Sequence, residues 1–199
     1  MSWKLLSVLL QYPDDALLEA MAELELTAAQ LPPAQRTPVD GFLAYLRATP
    51  PAVLRQAYVE AFDFDRRSAM HLTWHTHGDR RQRGIELVRL KRHYAEAGLP
   101  LADGELPDYL PVILEFTELR PGEGIELLVG LRPSLELVRA ALHRRQSPYA
   151  GLLDAVCVVL PKPTARQLEQ ARRLALEGPP AELVGLEPVS APDAVGAGA

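Results

Sequence analysis

Three of the five histidines stand together as His71, His75 and His77, in the pattern H-x-x-x-H-x-H. On a helix, His71 and His75 share a face, which is how a helical zinc site presents its first two ligands. The zincin pattern also sets a glutamate directly after the first histidine, and Leu72 stands there instead. His77 falls at the end of the predicted helix, and no third ligand is evident. Exposed or capping histidines are therefore the preferred reading, with a helical metal-binding protein on His71, His75 and His77 as the alternative. Nucleophilic chemistry has less to stand on. Cys157 lies in an apolar run with Val156, Val158 and Val159 and has no local base, which predicts a buried, inert thiol. No Gly-x-Ser-x-Gly elbow occurs. Gly122-Glu123-Gly124 reads as a turn with an acid in it, unsuited to cradling an anion. Asp63 and Asp65 could do acid–base work, but helix capping accounts for Asp65. No catalytic residue, metal or cofactor is expected.

The remaining unusual residues fall between Tyr58 and Tyr109. Arg80, Arg81, Arg83, Arg89, Lys91 and Arg92 form a dense basic cluster. It reads as a solvated helix face partly paired with Glu86 and Glu96. Nucleic acid is a poor partner for a chain whose formal net charge is −5, since such binders carry a basic surplus. Arg66-Arg67 and Arg80-Arg81 are suited to orienting the neighbouring acids. Around them alternate Tyr58, Phe62, Asp63, Phe64, Asp65, His77, Asp79, Glu105, Asp108 and Tyr109. Acids among aromatics suit a groove that takes a peptide, with apolar walls for its side chains and carboxylates for its basic residues. Plain core and capping roles are equally open on the residues alone.

Helices must position these residues. Leu and Ala dominate a hydrophobic content of 48% and aromatics are sparse, which favours helix over sheet. Ser2 suits the N-cap of a first helix with Leu5, Leu6, Leu9 and Leu10 inside. Asp14-Asp15 opens a second helix running through Ala28. Thr37-Pro38 and Thr49-Pro50 each look like a cap followed by proline at the first helical position. Asp65 is expected to cap a helix over residues 66–76, which His77-Gly78 ends. Asp79 is expected to cap a helix of about twenty residues that Gly98 closes. Asp108 as N-cap would leave Pro111 in a first turn, where its missing N–H costs nothing. Pro121–Gly124 reads as a turn before another helix, and Pro133, Ser147-Pro148 and Thr164 mark the last three. No alternating strand pattern and no repeat appear. The prediction is an all-α single globular domain of about nine to eleven helices over residues 1–177, followed by a disordered Pro/Gly/Ala-rich tail over residues 178–199.

A single cysteine in 199 residues excludes an internal disulfide and fits a reducing compartment. The N-terminus lacks the features of a signal peptide, and no apolar run reaches the length of a membrane span. A cytoplasmic protein without membrane insertion is expected.

Four segments together resemble the NarJ family of nitrate reductase molybdenum-cofactor assembly chaperones. They are Tyr-Val-Glu-Ala-Phe-Asp-Phe-Asp-Arg-Arg (58–67), Thr-His-Gly-Asp-Arg-Arg-Gln-Arg-Gly (76–84), Glu-Leu-Pro-Asp-Tyr-Leu-Pro (105–111) and Ser-Pro-Tyr-Ala-Gly-Leu-Leu-Asp-Ala-Val-Cys (147–157). The likeness extends over about residues 5–176. It also reaches a wider group similar to TorD and DmsD, with Tyr58-Val-Glu-Ala-Phe62 close to a Tyr-x-x-Leu-Phe signature. Glu105-Leu-Pro-Asp-Tyr109 departs from that group's Glu-Pro-x-Asp-His by a displaced proline and a tyrosine in place of histidine. The resemblance implies a TorD-like helical chaperone that binds the N-terminal segment of the catalytic α subunit of apo respiratory nitrate reductase. Iron–sulfur clusters and the molybdenum cofactor would enter before membrane attachment, with cofactor-delivery proteins as further partners, and the chaperone would be absent from the final enzyme. The client-binding set then expected is Tyr58, Phe62, Asp63, Asp65, His77, Asp79, Arg80, Arg81, Glu105, Asp108 and Tyr109, of which Tyr58, Phe62 and Glu105 are the sharpest. A generic helical adaptor with another partner is the remaining alternative.

Overall fold

The computed structural model describes residues 2–179, and among these the chain forms twelve helices and no strand. Helix α1 (Trp3–Leu9) begins where Ser2 Oγ accepts the Leu5 amide at 3.2 Å. Trp3, Leu5, Leu6, Leu9 and Leu10 are all buried, so α1 is an inner helix, packed chiefly on α8 (Leu110–Leu119). Asp14 caps α2 (Asp15–Glu19), but the single helix expected to follow is broken at Ala20, where α3 (Met21–Ala28) starts.

Helix α4 (Pro33–Ala48) starts earlier than the expected Thr37-Pro38, with Pro33 in the first turn and Pro38 inside the helix. An interior proline removes one helical hydrogen bond. Packing against α11 (Ala150–Cys157) holds the helix together regardless. The two run so close that a Cβ on Gly151 would lie 3.2 Å from the Pro38 carbonyl oxygen. Helix α5 (Pro51–Phe62) follows the Thr49-Pro50 signal closely.

The middle of the chain departs most from expectation. Asp65 does not cap a helix over 66–76. Its Oδ1 accepts the Arg67 amide at 2.9 Å, closing a local turn, and α6 covers only Leu72–His77. His71 precedes α6 in extended conformation, because residues 70–72 pair with 108–110: Leu72 N–H donates to Asp108 O and Leu110 N–H to Met70 O, both at 2.9 Å. This isolated antiparallel bridge, His71 to Tyr109, delays the helix. Gly78 ends α6 with φ of 56°, a conformation that favours glycine. Helix α7 (Arg81–Glu96) has Arg80 at its N-cap position, so Asp79 is not the cap. Asp108 does not cap α8 either; Tyr109 occupies that position without a side-chain bond.

Helix α9 (Pro121–Gly130) begins at Pro121, so the turn expected over residues 121–124 is helix. Gly124 allows it. A Cβ there would meet Thr117 Cα and lie 2.5 Å from Thr117 Oγ1, so α8 and α9 approach backbone to backbone. Gly124→Ala is expected to destabilise the fold by about 1–3 kcal/mol, the usual cost of overpacking, in denaturant unfolding. Helices α10 (Arg132–Arg144) and α12 (Ala165–Glu177) complete the domain, α12 starting in a capping box between Thr164 and Gln167. Beyond residue 179, the tail expected from residue 178 onward lies outside the described residues.

Candidate functional site

A cleft of about 720 Å³ opens where the end of α5, the bridged segments and the start of α8 meet. Five of the expected residues line it: Tyr58, Phe62, Asp63, Glu105 and Tyr109. Tyr58, Phe62 and Met70 are buried and form its floor. The Tyr58 ring lies 5.0 Å from Phe62 and edge-on to Tyr12 at 5.4 Å, and Phe62 in turn packs on the buried Tyr149. The floor is thus one end of an aromatic stack rooted in the core, and such stacks hold their geometry well.

The two tyrosine hydroxyls lie 3.2 Å apart, and Tyr58 Oη reaches Leu10 O at 3.5 Å. The order that satisfies both has Tyr58 donating to the carbonyl and accepting from Tyr109. Burial raises the pKa of both phenols, so neither ionises in the neutral range. Asp63 and Glu105 stand exposed, with the half-buried Glu115 of α8 as a third carboxylate. Lys4 Nζ pairs with Glu115 at 2.5 Å. Among the described residues no lysine or arginine lines the cleft, and His71 is the basic side chain in its lining.

Asp108 does not reach the cleft. Its side chain is 0% exposed and forms the centre of a network behind the wall. It accepts from His71 Nδ1 at 3.3 Å, Thr73 Oγ1 at 2.5 Å and Arg83 Nη2 at 3.3 Å. Burial by itself would push the carboxyl pKa up. The bonds from His71 and Thr73 and the Arg83 charge outweigh it and hold the pKa below the ordinary value. Arg83 also lies over the Trp74 ring at 5.7 Å. Asp108 therefore fixes His71, whose ring stacks at 5.2 Å from Tyr109 on the cleft side.

Other expected members lie elsewhere. Asp65 pairs with Arg145 at 3.3 Å. His77 lines a separate cavity of about 250 Å³ with Ser134 and Gln170. Asp79, Arg80 and Arg81 are exposed around the start of α7 and do not line the cleft. Within the basic cluster, Arg89 and Arg92 pair with Glu86 and Glu96 as expected. The structure adds Gln11, Tyr12, Met70, His71, Val112 and Glu115 to the cleft. The helical pattern offered a signal for two of these, since burying Leu110, Ile113, Leu114 and Thr117 turns Val112 and Glu115 outward. Nothing local marked Tyr12.

The histidine metal site does not form. His71 stands before α6 and turns to Asp108, whereas His75 is buried within α6. No group of three or more potential ligands among the described residues could hold a metal. His75 Nε2 donates to Ala69 O at 2.8 Å, and its Nδ1 is buried without a hydrogen-bond partner. Burial lowers its pKa to about 4 from 6.5, despite the Ala69 bond. From about pH 6.5 down to 4 the unfolded chain therefore binds a proton that the folded chain refuses. Stability falls with pH across that window, by about 3 kcal/mol at roughly 1.4 kcal/mol per unit. Unfolding titrations at stepped pH should show this slope, and His75→Gln, which keeps a donor for Ala69, should flatten it. Burial likewise raises the Cys157 thiol to about 11, which fits the inert cysteine expected there.

A family model described as nitrate reductase delta subunit matches residues 16–155. A nitrate reductase molybdenum cofactor assembly chaperone, NarJ, of Escherichia coli (strain K12) is 38% identical over 154 residues, which are 75% of this chain and 65% of that protein. A probable chaperone of the same name in Bacillus subtilis (strain 168) is 31% identical over 78% of this chain and 85% of its own length. The nitrate reductase-like protein NarX of Mycobacterium tuberculosis (strain ATCC 25618 / H37Rv) is 36% identical over 78% of this chain but only 24% of its own length. This chain thus spans just under two thirds of the Escherichia coli relative.

Proposed function

This chain belongs to the nitrate reductase delta subunit family, and from that premise we propose that it is an assembly chaperone that holds the N-terminal segment of the catalytic α subunit of apo nitrate reductase in the cleft. The observation that carries this reading is the lining itself: an aromatic and apolar floor, the exposed carboxylates of Asp63 and Glu105, and among the described residues no lysine or arginine. An amphipathic helix in a groove gains affinity from its apolar face and register from the charges beside it. Tyr58, Phe62, Met70 and Val112 would take the apolar side chains of the client, and Asp63 and Glu105 its basic ones.

The chemistry asked of the site is binding without turnover. The client is held while iron–sulfur clusters and the molybdenum cofactor enter, and it leaves before the enzyme attaches to the membrane. Relatives that carry the words cofactor assembly chaperone in their names support this role. The site of action on this reading is the cytoplasm, with cofactor-delivery proteins as further partners. No helix among the described residues is long and apolar enough to cross a membrane.

Calorimetric titration with a peptide of the first residues of the cognate α subunit tests the reading. Saturable one-to-one binding with a negative heat-capacity change is expected, the mark of apolar burial. Folded protein that shows no heat with this peptide at several temperatures, and no spectral change on mixing, would overturn it.

A further inference from the structure

The cleft leaves a second surface unused, on the outward face of α7. Ile85 and Val88 are 62% and 68% exposed. One turn further along lie Arg89 and Arg92, each four residues beyond one of the aliphatics and so on the same face. Their partners Glu86 and Glu96 hold them at 3.7 and 2.7 Å from their own helix, with both arginine side chains 79% exposed. Exposed pairs of this kind are weak and exchange readily for another carboxylate. The face is therefore aliphatic at its centre and basic at its end, in a chain of net charge −5.

The chain also carries a segment of matching chemistry. Residues 180–199 hold Glu182, Glu187 and Asp193 and no basic residue. Glu182-Leu183-Val184-Gly185-Leu186-Glu187 sets three aliphatics between two acids. Two surfaces among the described residues stand as alternatives for it. The cleft presents the exposed carboxylates of Asp63 and Glu105 and repels it, whereas the α7 face offers arginines beside aliphatics. Position favours the same choice. Gln170 of α12 lines one cavity with His77 of α6 and Glu86 of α7, so the middle of the helix that leads into the segment lies near the first turns of α7. Eight residues beyond Pro179 reach about 26 Å when extended, and a tethered segment acts at high effective concentration. We propose that residues 182–187 dock on the Ile85–Arg92 face of α7 within the same molecule, leaving the cleft open to a basic client.

A nitroxide placed through Ala191→Cys in the full chain tests this, since the buried Cys157 takes no label. Amide signals of residues 85–92 should lose about twofold or more in intensity, unchanged on dilution with unlabelled protein, as expected of a tethered contact. Those of Tyr58, His71 and Tyr109 should keep theirs. The effect should vanish with Arg89→Glu/Arg92→Glu and return when Glu182→Arg/Glu187→Arg is added. Ile85→Ser/Val88→Ser, on exposed positions, should remove it without touching charge. Broadening at the cleft, broadening that disappears on dilution and so reports a second copy, or no local broadening would each overturn the proposal.

Discussion

Replacing Asp108 by alanine is expected to lower stability by about 3 kcal/mol, because it removes the buried carboxylate of a part-buried ion pair and leaves its partners without it. A carboxylate serving only as a helix N-cap would cost about 1 kcal/mol, so the size of the change reports the role. The measurement is a shift of the denaturant midpoint at unchanged slope. Three donors converge on the one buried carboxylate, from His71, Thr73 and Arg83. Removing it leaves Thr73 buried without that acceptor and the Arg83 charge without its counter-ion. The Arg83 Nε already lacks a partner. Asp108→Asn keeps an acceptor for Thr73 but loses the charge, so it should fall between the parent and alanine. The acid limb gives a second check. The folded pKa of Asp108 lies below 3.8, so its stabilisation is complete above that pH and is lost as pH falls through the folded value. His75 acts in the separate window between 6.5 and 4.

The second large effect is on client affinity. Asp63→Lys/Glu105→Lys should weaken binding of the α-subunit peptide about thirtyfold. Exposed ion pairs contribute up to about 1 kcal/mol, and reversal of two charges replaces attraction with repulsion at both. The loss should shrink at high salt, because these carboxylates are exposed and screening reaches them. Asp65→Lys is the control. Asp65 belonged to the same acid-aromatic cluster in sequence, yet it pairs with Arg145 and does not line the cleft. It should leave peptide affinity unchanged. Equal losses from Asp65 and from the cleft pair would mean that net charge, not the cleft, attracts the client.

Part of the site was legible because its residues are unusual where they stand. Tyr58, Phe62, Asp63, Glu105 and Tyr109 combine aromatic and acidic character near helix ends, and all five line the cleft. Tyr12 and His71 were missed as cleft residues for a different reason. Each is common near turns and helix ends, and its place in the cleft depends on partners 46 and 38 positions away, Tyr58 and Tyr109. Asp108 was misread because a polar residue just before a helix has a sufficient local explanation.

The sequence alone determined the all-helical class and several helix ends. Ser2, Thr164, Gly78 and Gly98 act through bonds or dihedrals within a few residues of themselves, and apolar spacing at the helical period marked which side of α8 is buried. These are local effects, readable without knowing what lies across the core. The motif segments likewise identified the family. Tertiary structure alone decided that Asp108 is buried, that the segment before α6 is bridged to the start of α8, and that Pro38 lies inside a helix. In each case distant packing overrides a local preference: three donors outweigh the desolvation of a carboxylate, two backbone bonds delay a helix, and contact with α11 offsets a missing amide.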